Sequence, residues 1–462
     1  MSVARRVLPA LPSRRGWCPG LARPMPTGDG LLARIHPAGG VLSLAQAKSL
    51  AEAARRFGNG HIDVTARANL QVRGVTEETR GPLAAFLDAA GLGDARHDGG
   101  PQRLTLASPL AGLDPAERID VPALARAIEA AGLAIPGLPA KTLVSLHGGG
   151  RFGPGEAEAD IVAHAVGVGK VALALATAEG PDWIGEVTEA EAAGTVAALL
   201  NAFARTGRRR VRDLSDAERR TLPATRSTSP VRERSSPRHA DRVRGATSPD
   251  TSHPSPQPSP ERERGSAAPA GLLTLSTSLT VLAVEAPFGR CDADALDALA
   301  RIAGALGAPE IRLSSTRGFV LVATDPAAAG AALADLAAAG FVVAPEDPRR
   351  AVAACPGAPA CASGSTPTLR DAARLAEAFR PFARRGLTAH VSGCAKGCAR
   401  PAPADLTLVG HDGRYGIVLD GGPGDEPATQ LTFEAALERV RRADSTETLH
   451  RAFDTRPIKS DP

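Results

Sequence analysis

Four of the six cysteines in this 462-residue chain fall between positions 355 and 398, as Cys355-Pro-Gly-Ala-Pro-Ala-Cys361 and Cys394-Ala-Lys-Gly-Cys398. Cysteines this sparse cannot build a disulfide scaffold, and their clustering points to metal ligation in a reducing compartment. Pro356, Gly357 and Pro359 hold the first pair in an extended loop, and Gly393 and Gly397 do the same for the second. Backbone free of bulky side chains can then approach a metal centre and donate N–H groups to its sulfurs. Four thiolates so placed suit one 4Fe-4S cluster. A structural zinc is the competing reading, although most zinc ribbons use shorter two-residue knuckles. Cys18 and Cys291 have no partner at ligand spacing and read as small buried residues. Lys396, between the second pair, reads equally well as a charge neutralising the centre and as a solvent-facing loop lysine.

The elements that must position these thiols come from the hydrophobic pattern. A strand candidate, 31–35, precedes Ser43-Leu-Ala-Gln46, which has the pattern of a capping box, and the helix after it carries Ala47, Leu50, Ala51, Ala54 and Phe57 on one face before Gly58 stops it. A gapless shift of 249 repeats the events: Asp292 caps, Leu296, Leu299, Ala300, Ala303 and Leu306 line a face, and Gly307 ends the helix. Alternating strands follow each helix, 61–64 and 70–73 in the first copy, 310–313 and 319–322 in the second. The repeated unit is β-α-β-β, half of a ferredoxin-like arrangement. Such a unit leaves one sheet edge and one apolar face open, so two copies in one chain are expected to complete each other across a pseudo-twofold axis.

Composition sets the boundaries and excludes some functions. The formal charge is +4 and only 3% of residues are aromatic, which argues against a basic nucleic-acid binder with stacking platforms. Residues 208 to 264 hold 14 Arg, no Lys and 8 acidic residues, so the rest of the chain is close to neutral. That Pro/Ser/Arg-rich stretch cannot bury enough apolar surface to order itself and reads as a linker. The expected organisation is a flexible tail over 1–16, a half-domain over 17–80, a mixed domain over 96–207, a disordered linker over 208–271, a second half-domain over 272–345 and a cysteine-bearing domain over 346–455. No apolar run is long enough to span a membrane, and Pro9 and Pro12 interrupt the N-terminus, so no membrane association and a cytoplasmic location are expected.

Several motifs together resemble the nitrite and sulfite reductase superfamily. The cysteine spacings look like its cluster signature, and Thr65-Ala-Arg67-Ala-Asn69-Leu-Gln71 looks like its first-repeat anion-binding motif. Ala107-Ser-Pro-Leu-Ala-Gly112, Leu138-Pro-Ala-Lys141 and Gly413-Arg-Tyr415 before Asp420-Gly-Gly422 also correspond. The resemblance implies an α+β fold of two pseudo-symmetric ferredoxin-like half-domains, each followed by a mixed α/β sulfite-reductase-like domain. Within the superfamily, Arg14-Arg-Gly-Trp-Cys-Pro-Gly-Leu21 and Pro24-Met-Pro-Thr-Gly-Asp-Gly-Leu-Leu32 are similar to the opening of the precorrin-3B synthase family.

That resemblance implies an oxidoreductase, a monooxygenase of cobalamin biosynthesis. Its cofactors would be a 4Fe-4S cluster on Cys355, Cys361, Cys394 and Cys398 and a mononuclear non-haem iron of unidentified ligands. The substrates would be precorrin-3A and dioxygen, with NAD(P)H as reductant, directly or through an electron-donor protein, and the product a C20-hydroxylated γ-lactone. The tetrapyrrole would sit on Arg67, Asn69, Gln71, Arg103, Lys141 and Arg317, and Cys398 would be the thiolate nearest it. An octacarboxylate needs fixed cations, and arginine suits bidentate contacts. Arg73 flanks the same turn as Arg67 and reads as either a site residue or a solvated one. No catalytic residue is assigned; His36, His61, His147 and His164 lie near matched motifs but each reads more simply as a packed or surface residue. Position 143 is Leu where the reductases carry a second lysine, which counts against six-electron anion reduction. A sirohaem-dependent sulfite or nitrite reductase and a non-catalytic tetrapyrrole-binding protein are the alternatives.

Overall fold

The computed structural model describes residues 18–155, 157–223, 270–276 and 279–453. The 1–16 tail and most of the expected linker, 224–269, lie outside the described residues. The chain opens with β1 (Met25–Thr27), β2 (Gly30–Ile35), the short β3 (Val41–Ser43), α1 (Leu44–Phe57), β4 (His61–Val64), β5 (Leu70–Val75) and α2 (Glu77–Ala89). Ser43 Oγ accepts from Gln46 N at 3.1 Å while Gln46 Oε1 accepts from Ser43 N at 3.0 Å, the reciprocal capping that starts α1. Ala47, Leu50, Ala51 and Ala54 are buried on its inner face. The half-domain runs on through α2 rather than ending at 80. Thr76 caps this helix through Thr79, Pro82 lies inside it, and Leu83 and Leu87 carry its packing.

The first mixed domain follows with β6 (Thr105–Ala107), α3 (Val121–Leu133), β7 (Val144–His147), β8 (Ile161–Gly167), β9 (Lys170–Ala176), β10 (Pro181–Thr188) and α4 (Glu189–Arg205). Its sheet runs β6-β7-β8-β9-β10, parallel over the first three strands and antiparallel after. The two helices cover one face through Leu124, Ile128, Val196, Leu200 and Phe203. Residues 208–223 do not belong to the linker. Val211 and Leu214 anchor them in this core, Arg210 pairs with the fully buried Asp160 at 2.9 Å, and a last short helix, α5 (Asp216–Arg220), is capped by Ser215. The arginine-rich composition hides these two apolar anchors.

The second half repeats the first: β11 (Gly271–Ser276), β12 (Leu279–Glu285), β13 (Arg290–Asp292), α6 (Ala293–Ala305), β14 (Glu310–Ser314), β15 (Gly318–Ala323) and α7 (Pro326–Ala338). The halves complete each other by exchanging their shortest strands. The first sheet has the order β1-β2-β5-β4-β13 and the second β11-β12-β15-β14-β3, so each takes its fifth strand from the other repeat. The registers are reciprocal: Arg290 faces Asp63 and Val41 faces Arg312, pairs that interconvert under the 249-residue shift. One core, with Leu50, Ile62, Leu282, Leu296 and Phe319, is shared by both halves.

The chain ends with a second mixed domain, β16 (Val352–Ala354), α8 (Thr368–Ala383), β17 (Ala389–Ser392), β18 (Ala404–His411), β19 (Arg414–Gly421), β20 (Thr429–Leu431), α9 (Phe433–Arg442) and α10 (Thr446–Phe453). Its sheet, β16-β17-β18-β19-β20, has the same pattern of parallel and antiparallel pairs as that of the first mixed domain. Among the described residues no helix is long and apolar enough to cross a membrane.

Candidate functional site

The site begins with strand alternation in the first half. Ala33, Ile35, Ile62, Leu70 and Val72 point to the helices, so Arg34, Asp63, Gln71 and Arg73 share the opposite face. With the Gln71 amide turned so that its oxygen faces them, Arg34 Nε and Nη2 reach Gln71 Oε1 at 2.9 and 2.7 Å. Beyond them, at the Thr65–Ala68 turn, Arg67 donates to the Lys141 carbonyl at 3.0 Å, and the buried Arg103 donates to the Ala68 carbonyl at 2.9 Å and to that of Arg67. Arg34, Arg67, Arg103, Asn69 and His36 line a small recess that opens to solvent, with Cys18, Gln102, Ala140 and Leu143 completing the wall.

Among the described residues none of these three arginines is in an ion pair with a carboxylate. Burial pushes all three guanidinium groups down, Arg103 to about 10, yet each stays charged at neutral pH. Burial, with Arg34 and Arg103 alongside, lowers His36 to about 3, so its imidazole is neutral. Asn69 is 6% exposed, and its Oδ1, like His36 Nδ1, has no hydrogen-bond partner among the described residues. Uncompensated cations around unspent polar atoms make a receptor for a multiply charged anion.

The structure sorts the expected tetrapyrrole residues into two places. Arg67, Asn69 and Arg103 line the recess, and Gln71 holds Arg34 against it. Lys141 is exposed, and its carbonyl is what Arg67 engages. Arg317 occurs at the turn equivalent to Arg67, but by the repeat shift it corresponds to Ala68, and both residues have positive φ. Its side chain passes over Gly289 and donates to the Ala399 carbonyl at 2.7 Å, on the cysteine loop. Leu143 is buried in the recess wall. Arg34 escapes the sequence reading because strand 31–35 is recognised by its apolar residues; the polar pair Arg34 and His36, two apart, is the signal that marks its other face. Cys18, read as a small core residue, is half-buried in the recess. His147 and His164 stack with ring centroids 5.2 Å apart on β7 and β8, and His61 is exposed on β4.

The cysteines come together at the ends of two parallel strands. Cys355 leaves β16 where Ser108 leaves β6, and Cys394 and Cys398 follow β17. Gly393 donates its N–H to Cys355 Sγ at 3.1 Å. A Cβ on Gly393 would stand 3.3 Å from the Cα atoms of Gly357 and Gly364 and 3.5 Å from that sulfur, so three glycines bring bare backbone around the thiols. Burial pushes the Cys394 and Cys398 thiols up, and the other cysteines add to the shift. Cys398 is thus an exposed residue whose thiol still feels all three neighbours. Lys396 Nζ lies 3.4 Å from Ser363 Oγ in an exposed contact. Among the described residues no three His, Cys, Asp or Glu side chains are grouped to hold a single ion.

Comparison with known proteins places this geometry. Residues 23–90 and 277–339 match the nitrite/sulfite reductase ferredoxin-like half domain. The chain is 36% identical to a precorrin-3B synthase of Sinorhizobium sp over 93% of its own length and 88% of that protein. It is 26% identical to a ferredoxin–nitrite reductase of Synechococcus elongatus, covering 86% of this chain and 79% of the relative. The solved structure of the Mycobacterium tuberculosis NirA protein shares the fold, with a TM-score of 0.64 at 21% identity over 89% of this chain and 80% of that one. With its paired half-domains, its glycine-cradled thiols and that degree of identity over nearly its whole length, the chain belongs to the precorrin-3B synthase family of oxidoreductases, within the nitrite and sulfite reductase superfamily.

Proposed function

We propose that this protein converts precorrin-3A to precorrin-3B in cobalamin biosynthesis, inserting one oxygen atom of dioxygen at C20 and closing a γ-lactone. The observation that carries the reading is the recess lined by the buried Arg103 and the half-buried Arg34 and Arg67, none paired with a carboxylate among the described residues, in a chain 36% identical to a precorrin-3B synthase. Arg34, Arg67 and Arg103 bind carboxylates of the tetrapyrrole rim and fix its orientation, and the unspent Asn69 Oδ1 accepts from a donor on the ligand. The neutral His36 fills the recess without adding a fourth charge to it. Leu143 gives the wall an apolar patch suited to the macrocycle rather than to a small anion.

The four thiols fit a 4Fe-4S cluster. They feel each other's charge, a backbone N–H points at one sulfur, and glycines clear the space around them. When bound, the cluster supplies single electrons, from NAD(P)H or a donor protein. For a mononuclear iron the described residues offer no group of three ligands, so they do not fit that group.

The test is to incubate anaerobically purified protein with precorrin-3A, a reductant and ¹⁸O-labelled dioxygen, and to weigh the product. One labelled oxygen per tetrapyrrole is expected; incorporation from water refutes the oxygenase reading. Stoichiometric sirohaem in the purified protein, seen by its Soret and red bands, would favour the nitrite or sulfite reductase reading.

A further inference from the structure

Arg73 was ambiguous in the sequence. In the fold it is 2% exposed and sits at the centre of a partly buried ladder of charges. Its Nη2 and Nε reach Asp29 at 2.7 and 2.9 Å, and its Nη1 reaches Asp63 at 3.1 Å. Asp63 in turn takes Arg290 Nε at 2.6 Å, across the exchanged strand. Two guanidinium and two carboxylate groups make this set neutral. Arg73 Nη2 also donates to the carbonyl of Ala360, the residue before Cys361, and Gly28 N donates to the same oxygen at 3.2 Å. The approach is so close that a Cβ on Gly28 would fall 2.2 Å from the Pro359 oxygen. Two residues earlier on the same face of β5, Gln71 holds Arg34 at the recess. One strand therefore carries the anion recess toward one end and the grip on the cysteine loop toward the other.

We infer that Arg73 is a positioning residue for the cysteine centre: it fixes the Cys361 loop, and the balance of charge in its ladder sets the reduction potential of the cluster bound there. This rests on the cluster reading above. Reduction adds one negative charge to a cluster, so a nearby positive charge favours it and a nearby negative charge opposes it, most strongly where burial keeps out screening water. The ladder is balanced only while all four members are present.

The experiment uses the full-length protein with its cluster reconstituted anaerobically, titrated with dithionite while the reduced cluster is followed by electron paramagnetic resonance. Iron and sulfide analysis of the unmodified protein comes first; fewer than four irons per chain after full reconstitution would sink the cluster reading itself. With the cluster present, Arg73→Met is expected to move the midpoint potential negative and Asp29→Asn to move it positive. Arg73→Lys, which keeps the charge but loses the fork, should stay near the unmodified potential while altering the g-values, because the loop is held differently. A damaged fold would not produce shifts of opposite sign. Equal potentials in Arg73→Met and Asp29→Asn, or shifts in the same direction, overturn the inference. Should Arg73→Met fail to load iron, Asp29→Asn and Asp63→Asn decide, since both must raise the potential.

Discussion

The two halves share an architecture and differ in what their equivalent faces do. In the first repeat the sheet face turned away from the helices carries Arg34, Asp63, Gln71 and Arg73, and it meets the recess and the cysteine loop. In the second, the equivalent positions are Ala283, Arg312, Val320 and Val322, and the face is sealed by Leu110 packing onto Val281, Ala283 and Val320. The sealing extends to the rim. Arg350, two residues before β16, corresponds to Arg103, two residues before β6; it pairs with Glu285 at 3.1 Å, and Glu285 stands where the first repeat has His36. In the mixed domains the division is reversed. Gly393 faces the Cys355 sulfur, whereas its counterpart Gly148 faces Glu117, whose carboxyl is pushed up to about 7 by burial. Of the two half-sheets one presents a charged face and the other a sealed one, and of the two mixed domains one carries cysteines at its strand ends and the other does not.

If the second face is only structural, damaging it should cost stability and spare binding. Leu110 is fully buried there, and Leu110→Ala should destabilise the protein by about 2–5 kcal/mol in thermal or denaturant unfolding, with affinity for an octacarboxylate porphyrin such as uroporphyrin unchanged. Lost porphyrin binding in a folded Leu110→Ala protein would break the division. The rim sharpens it. Arg103→Met should weaken uroporphyrin binding about tenfold or more, the loss of about 1.5–3 kcal/mol expected for a charge-assisted contact, whereas Arg350→Met should leave the fluorescence titration unmoved. Equal losses in both would mean that the faces are not specialised.

The smallest effect is in pH. His36 is depressed to about 3 and the fully buried His390 to about 4, in each case first by burial and then by neighbouring arginines. Both are neutral in the fold and charge near 6.5 when unfolded, so the unfolded state binds more protons below that pH. Stability present above about pH 6.5 is lost as the pH falls toward 4, by at most about 1.4 kcal/mol per pH unit for each histidine. His390→Gln should flatten the acid slope of the melting temperature; an unchanged slope would remove this histidine from the account.

Much of the repeat was legible because it rests on caps and helix faces with strong patterns: Ser43 with Gln46, Asp292, and the apolar rows behind them. The exchanged strands were not. Three residues such as Val41–Ser43 or Arg290–Asp292 are too short to show an alternation, and only the partner repeat makes them strands. That the four cysteines form one group was legible from their spacing, which left a zinc open beside a cluster. The recess was half legible, since Arg67 and Asn69 lie in a motif on a turn, whereas Arg34 and Cys18 join it only through strand pairing and chain path. Arg73 was ambiguous because its partners, Asp29 and Asp63, are distant in sequence and nothing in a run of charges tells a ladder from a wet surface.

The exchange of β3 and β13 has a consequence for how the chain can be assembled. Each five-stranded half-sheet waits for a strand made about 250 residues away, so neither repeat can close its edge or its core from local sequence. A break in the backbone between 223 and 270 would leave two fragments that are each other's missing parts, able to reach the native sheet order only by complementation, as two chains. The intact connection turns that encounter into an intramolecular one.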